Sequence, residues 1–518
     1  MLDRLWAAPV DVRFISLERD DMMEGDVPYF ETAPASRDVW DSRGRKLPDV
    51  FPATGLARVE ERIRGLDGAD IDRQAGWVRA SLAAVREERD EHIPGTGIPE
   101  PTPEPPLGVG ELLGEAELIG WDLVKAAIWG PGRKDCTWIS LGINHRGQWN
   151  VSAVDAGLYN GAAGVAFFLG YLADVTGDET FRATARAALE TARQKTPFLA
   201  KFPSAFFGLG SVLYAASHLG PMLDVPNWEE DVKRMVAQLG EAVEADRYYD
   251  LLSGGAGVIH VLLNVHEQLG LGDALEVAVR YGDHLCRNRK QAEQGAAWLG
   301  EGTGEKGLAG MAHGTAGIAW ALLRLAAATG DGAYRQTAEE GLAYERSVFH
   351  PEAGNWEDRR YEAGRALGSV SWCHGAPGIG LSRSASLGLV SPDRRGVMMD
   401  ELRIALRTTC SRGVGRSHCL CHGDLGNAEL LLQAGRRLGN ANLVEKARWV
   451  GARVVENKRE AGRYRHGVPM GLETVGMWLG AAGIGYQLLR LAEPARVPSV
   501  LTVEGAGPRS GAGGGEFL

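Results

Sequence analysis

Three short segments of the sequence place metal-competent side chains just before a glycine. His313 precedes Gly314, His374 precedes Gly375 and His422 precedes Gly423. Two positions before the glycine stand Cys373 and Cys421. Two thiols and an imidazole make a three-ligand zinc set whose fourth position stays open, the mark of catalysis rather than structural support. Sulfur-rich ligation suits zinc over magnesium or calcium. Singly, a buried cysteine is more often a small core residue, and a histidine beside glycine a capping or core group. The shared register makes them a set, with Cys373, Cys421 and His422 as the metal ligands. His313 follows Ala312 rather than a cysteine, so it reads as a general acid or base. For His374 two readings stand, a pocket wall and a proton-transfer group. Asp250, four residues before Gly254, either orients His313, holds a substrate amide, or caps a helix, as Asp commonly does. Cys419 is out of register with Cys373 and reads as a bystander, substitute ligation being the other reading. Cys136, Cys286 and Cys410 read as structural.

Such distant residues converge only if repeated elements carry them. From about residue 110 the chain repeats a unit of small residues followed by an apolar run. The seven copies run from LYNGAAGVAFFLGYL to WLGAAGIGYQLLRL. Their second glycines are Gly164, Gly210, Gly257, Gly317, Gly378, Gly426 and Gly483, 46 to 61 residues apart. The first glycine of the second copy is missing, Phe207 holding its place. Each interval fits a buried motif helix and an amphipathic return helix such as GDETFRATARAALETARQ. The expected fold is all-α, an α/α toroid of seven inner and seven outer helices. Equivalent positions then point to the same end of the axis. Seventy glycines in 518 residues suit this scheme, since paired glycines let neighbouring backbones approach closely.

The rest of the chain bounds the function. A net charge of −11 argues against a nucleic-acid partner, which requires a basic face. No secretory signal and no apolar run of about 18 residues are present, so a cytoplasmic protein without a membrane span is expected. Six cysteines are too few for a disulfide framework in a chain this long. Residues 1–90 are mixed, with helical periodicity through Val59, Ile63, Leu66, Ile71, Trp77, Val78, Leu82 and Val85. Residues 91–109 are Pro- and Glu-rich and read as a linker. The repeat domain spans 110–495, and 496–518 reads as a disordered tail.

The segments GMAHGTAGIAW, SWCHGAPGIG and CLCHGDLGN strongly resemble the lanthionine synthetase C-like (LanC-like) cyclases. The resemblance covers about 110–495 and implies an α/α toroid with a central zinc. It puts the zinc ligands on Cys373, Cys421 and His422, the proton donor on His313 and a pocket aspartate on Asp250. Single-domain members carry an arginine four residues before the first zinc cysteine; this chain has Ser369. GDVPYF, FPATGL and DIDRQAGWVRASL resemble the end of the dehydratase part of class II (LanM-type) lanthipeptide synthetases. Residues 1–90 are thus expected to be an α+β remnant of that kinase-like domain. No phosphate loop or kinase-like catalytic loop precedes them, so the chain resembles the C-terminal half of a bifunctional enzyme.

The implied reaction is ring closure in a lanthipeptide precursor, leader plus dehydrated core. Zinc deprotonates a peptide cysteine, whose thiolate adds to dehydroalanine or dehydrobutyrine. His313 or His374 then protonates the α-carbon. A separate upstream dehydratase chain is a candidate partner. Two other functions fit a toroid. One is a non-catalytic, zinc-containing peptide-binding protein. The other is a glycosidase, which requires paired carboxylates where the motif loops offer Cys and His.

Overall fold

The computed structural model describes residues 11–85, 95–100, 107–143, 148–301, 306–361 and 367–507. The chain divides into two compact units, Met1–Val78 and Arg79–Leu518.

The first unit is α+β. Helix α1 (Arg13–Met23) leads into an antiparallel sheet of β1 (Phe30–Glu31), β2 (Val39–Asp41) and β3 (Lys46–Leu47). Buried Asp41 accepts from the Arg43 and Arg45 amides and from the Arg45 guanidinium, which fixes the turn between β2 and β3. Helix α2 (Gly55–Arg64) starts at Thr54, whose hydroxyl accepts from the Ala57 amide. Helix α3 (Gly68–Ala84) crosses the boundary between the units. The periodicity thus forms helices, yet its apolar stripe is not buried among the described residues: Val59, Ile63, Ile71 and Val78 are all exposed.

In the second unit the expected alternation of helices is present. The inner helices are α5 (Ala162–Thr176), α7 (Leu209–Met222), α9 (Gly255–Leu269), α11 (Thr315–Thr329), α13 (Ala376–Ser386), α15 (Asp424–Leu438) and α17 (Ala481–Ala492). Six outer helices follow their inner partners: α6 (Glu179–Gln194), α8 (Trp228–Glu241), α10 (Gly272–Asn288), α12 (Gly332–Ser347), α14 (Pro392–Arg412) and α16 (Ala441–Ala461). The seventh, α4 (Val109–Ala126), comes from before the first repeat and packs on α17. Each inner helix touches the next, and α17 touches α5, so the ring is closed. The inner helices are buried almost all round, whereas α6 buries one face of Phe181, Ala185, Ala188, Leu189 and Ala192. That contrast is what a toroid demands of its two layers.

Glycine caps all seven inner helices: Gly161, Gly208, Gly254, Gly314, Gly375, Gly423 and Gly480. A Cβ at any of them would collide with the loop that has just folded back beneath it. The second glycine of six repeats is crowded in the same way by the carbonyl six residues earlier, as Gly164 is by Leu158 and Gly378 by Trp372. The second repeat does not lack its capping glycine. Gly208 does the work of Gly161, with the spacing to Gly210 one residue shorter.

Two expectations about connecting segments change. The stretch read as a linker is described over 95–100, and there it lies along the end of α14. Thr96 bridges Val414, and the Ile98 amide donates to the Cys410 carbonyl. The tail read as disordered from 496 is packed from Val497 to Val503, because Val497, Val500, Leu501 and Val503 are apolar enough to be buried. Residues 508–518 lie outside the described residues. The packed part sits among the inner helices. Its main-chain carbonyls accept from Tyr486 (at Pro498, 2.6 Å), Trp372 (at Leu501, 3.1 Å), Asn264 (at Val503, 2.7 Å) and Tyr214 (at Glu504, 2.7 Å). No described helix is long and apolar enough to cross a membrane.

Candidate active site

Just before each capping glycine the chain passes close to its neighbour in the ring. Two residues before the caps stand Tyr159, Phe206, Leu252, Ala312, Cys373, Cys421 and Trp478. Their main chains hydrogen-bond one to the next. Cys421 N–H donates to Trp478 O (3.1 Å), Trp478 to Tyr159 (2.9 Å) and Tyr159 to Phe206 (2.9 Å). Leu252 donates to Ala312 (3.0 Å), Ala312 to Cys373 (3.3 Å) and Cys373 to Cys421 (3.2 Å). The one gap, between Phe206 and Leu252, is bridged by Ser204, whose hydroxyl donates to Leu252 O and accepts from Phe206 N–H. This ring of peptide groups is the physical reason that distant equivalent positions meet.

Cys373 and Cys421 are adjacent in the ring, and their thiols hydrogen-bond each other. That bond, with the nearby imidazoles of His374 and His422, holds the Cys373 thiol well below its ordinary range. The same bond and burial push Cys421 up. Tyr159 is hydrogen-bonded to Cys421 and stacks on Trp478 at 5.5 Å. Trp478, Phe206 and Trp372 form an aromatic floor, with ring centroids 4.9 to 6.1 Å apart.

His313 faces this pair from the next repeat. Its Nδ1 lies 2.9 Å from Asp250 Oδ2, and its side chain stays 32 % exposed. The other Asp250 oxygen accepts from Ser253 N–H (2.6 Å) and Gly254 N–H (3.1 Å). The aspartate therefore braces the turn that leads into α9 and holds His313 at once. Burial would lower the His313 pKa, but the Asp250 carboxylate outweighs it and raises the group above its usual value. His374 stacks on His313, with centroids 5.6 Å apart. It is 1 % exposed, and burial lowers its pKa to about 4.

Behind His374 lies a charged group that the motifs did not reveal. Asp358, fully buried, accepts from Arg360 Nε (2.9 Å) and Nη2 (2.8 Å). It accepts from the Ser369 hydroxyl as well, at 2.7 Å, and lies 3.8 Å from His374 Nδ1. Burial opposes ionisation of Asp358, yet Arg360 and His374 bring its pKa down to about 2.

The donor chemistry at this end of the toroid fits zinc: two thiols of which one is readily ionised, and an imidazole alongside. As they stand, no three His, Cys, Asp or Glu side chains among the described residues converge closely enough to hold an ion. The thiols face each other, while His422 Nε2 is turned toward Cys419 and Gly467. Cys419 is therefore more than a bystander in position. It is fully buried, and against the effect of burial the His422 imidazole and the Ser417 hydroxyl hold its thiol below the ordinary range. Cys136, Cys286 and Cys410 stand apart from the site. All six cysteines are unpaired, and burial pushes Cys136 up to about 12.

Residues 152–502 match the model of the family described as "Lanthionine synthetase C-like protein". The chain belongs to that family. Among solved structures, nisin cyclase superposes with a TM-score of 0.54 at 16% identity, over 67% of this chain and 91% of that one. That likeness establishes the shared LanC-like toroid. An unsaturated glucuronyl hydrolase specific for heparin (TM-score 0.38, 12% identity, 68% of this chain and 98% of that one) is more distant. So is a sugar epimerase from a ruminal bacterium (0.41, 12%, 75% and 99%). The matched span takes in all seven inner helices and every residue of the site, from Tyr159 to Trp478.

Proposed function

We propose that this LanC-like protein is a cyclase that forms lanthionine and methyllanthionine rings in a dehydrated precursor peptide. The observation that carries the reading is the hydrogen-bonded Asp250–His313 pair, set in the ring of loops one repeat from Cys373 and close enough to feel its charge. Cys373, Cys421 and His422 would hold zinc. When bound, zinc supplies the Lewis acidity that ionises a substrate thiol near pH 7. His313 holds the proton. Its Nδ1 is engaged by Asp250, so Nε2 is the atom that transfers it to the α-carbon. His374, buried and stacked on His313, covers one face of that imidazole. On this reading the cyclase unit works on residues already dehydrated, and residues 1–90 are the remnant of a class II dehydratase part.

The test uses a synthetic peptide carrying one dehydroalanine and one cysteine. Purified protein should close the ring faster than a no-enzyme control, followed by loss of alkylatable thiol. It should contain one zinc per chain. Replacing both Cys373 and Cys421 by alanine should remove the metal and the acceleration together. Full zinc content in that double variant, or none in the parent, would overturn the metal assignment. Zinc-loaded protein that binds the peptide but never accelerates closure would favour the binding-protein alternative.

A further inference from the structure

Among the inner helices, one stretch of chain is held as a bound peptide would be. Residues 497–503 are all buried, yet they form no helix or strand that would satisfy their own main chain. A buried carbonyl without a donor is costly. Here the donors come from elements far apart in the sequence. Tyr214 in α7, Asn264 in α9 and Tyr486 in α17 give side-chain hydrogen bonds of 2.6 to 2.7 Å to main-chain oxygens of Glu504, Val503 and Pro498. Gln433 in α15 donates to the Thr502 hydroxyl (2.6 Å) and to the Glu504 carboxylate (3.0 Å). Main-chain hydrogen bonds of this kind are how proteins hold peptides. The seat also dictates the shape of what it holds. Val503 has a φ of 45°, which a β-branched residue takes only where its surroundings enforce it.

A further donor joins this stretch to the candidate site. Trp372 Nε1 donates to Leu501 O at 3.1 Å, and both residues are fully buried. Trp372 directly precedes Cys373, and its ring lies against Phe206 and Trp478 in the aromatic floor. Trp478 in turn accepts the Leu420 and Cys421 amides on its carbonyl, at 3.0 and 3.1 Å. The floor is therefore bonded to both thiol loops and to Leu501. Resting on the cyclase reading above, we propose that residues 497–504 are a built-in peptide ligand of the toroid, with Leu501 as a positioning residue. Seated, Leu501 fixes Trp372 and so holds the Cys373 loop where it can share a metal with Cys421. A loop ordered during folding need not be ordered again when the metal binds, which raises affinity. With the stretch unseated, the Trp372 N–H loses its partner, and the floor and the loops bonded to it are free to shift.

Two full-length variants test this. Leu501→Asp puts a charge at a fully buried position and drives the stretch out, while Trp372→Phe keeps an aromatic ring and removes the N–H. Zinc-loaded protein is mixed with a chromogenic chelator and metal release is timed, beside ring closure of the dehydroalanine–cysteine peptide. Folded Leu501→Asp should release zinc about tenfold faster than the parent, the equivalent of one or two lost buried hydrogen bonds, and its kcat should fall as well. The synthetic peptide VPSVLTVEGAG, residues 497–507, should slow that release when added in trans, and the same peptide carrying Leu501→Asp should not. Trp372→Phe should release zinc about threefold faster, as expected for one hydrogen bond. A role confined to stability would lower the melting temperature of both variants and leave release from folded protein at the parent rate. Parent-like release in folded Leu501→Asp would overturn the proposal, as would a native peptide that does not slow it. If Leu501→Asp does not fold, Trp372→Phe decides: faster release supports the proposal and parent-like release overturns it. A parent that holds zinc but closes no rings would sink the cyclase reading and leave the release measurement to decide the seat. A parent without zinc would sink both.

Discussion

His313→Ala is expected to keep its zinc and to slow enzymatic ring closure about 10²- to 10⁴-fold, the usual effect of losing a positioned acid or base. On the rate scale that is about 3–5 kcal/mol. The residue is tied to Asp250 rather than to the thiols, so metal content should survive its removal. Rings also close slowly without enzyme, so rates and ring stereochemistry must be compared with a no-enzyme control. The pH profile is a second readout. Asp250 raises the His313 pKa, which keeps the acid form present at higher pH. Activity should fall as pH rises through that raised pKa. In Asp250→Asn the fall should move to lower pH, because the neutral amide no longer favours imidazolium. The groups near His313 that set its charge besides Asp250 are Cys373 and Arg360. Parent-like rates in His313→Ala would assign the proton to His374 or to solvent.

A comparably large effect is expected at the far end of the inner helices. Glu429 in α15 and Arg490 in α17 are essentially unexposed and joined by three contacts of 2.8 to 3.0 Å. Gln487 donates to the same carboxylate at 2.7 Å. Breaking a buried pair leaves one charge without compensation and costs about 3–5 kcal/mol. Glu429→Gln should therefore lower the unfolding free energy by about that much in urea melts. Glu504, 3.7 Å from Arg490 but 42 % exposed, offsets only part of the loss. Exchanging both partners for methionine should restore most of it, as apolar replacements of buried pairs commonly do. A Glu429→Gln variant within about 0.5 kcal/mol of the parent, the usual range for surface changes, would show that water reaches the pair.

Where the sequence is periodic, its reading survives. The glycine register located six of the seven loops and placed Cys373, Cys421 and His313 at one end of the toroid. The second loop was read one residue out of place, because the shorter Gly208–Gly210 spacing hides the cap. The seventh outer helix, α4, was hidden by chain order: it belongs to the last repeat but is made before the first. Tyr159 could have been found. It stands two positions before Gly161, as Cys373 does before Gly375, but only sulfur and imidazole were sought there. Asp358 and Arg360 carried no such signal. They lie in a connecting segment between α12 and α13, and only the folded chain brings them behind His374. The apolar residues near the C-terminus were outweighed by the glycines that follow them. Val500 and Leu501 find their partners among helices hundreds of residues upstream.

The ring of peptide hydrogen bonds has a consequence for how such a site can change. Six of its links use main-chain atoms alone, so they do not depend on which side chain each loop carries. The seven loops are like positions on a dial whose spacing is already set. This protein fills them with a phenol, a phenyl ring, an indole, leucine, alanine and two thiols. Replacing Leu252 or Ala312 with a side chain of similar size would leave the peptide links in place and alter only the group carried at that position. New specificities, or a relocated metal site, are then reachable by single codon changes on an unchanged frame.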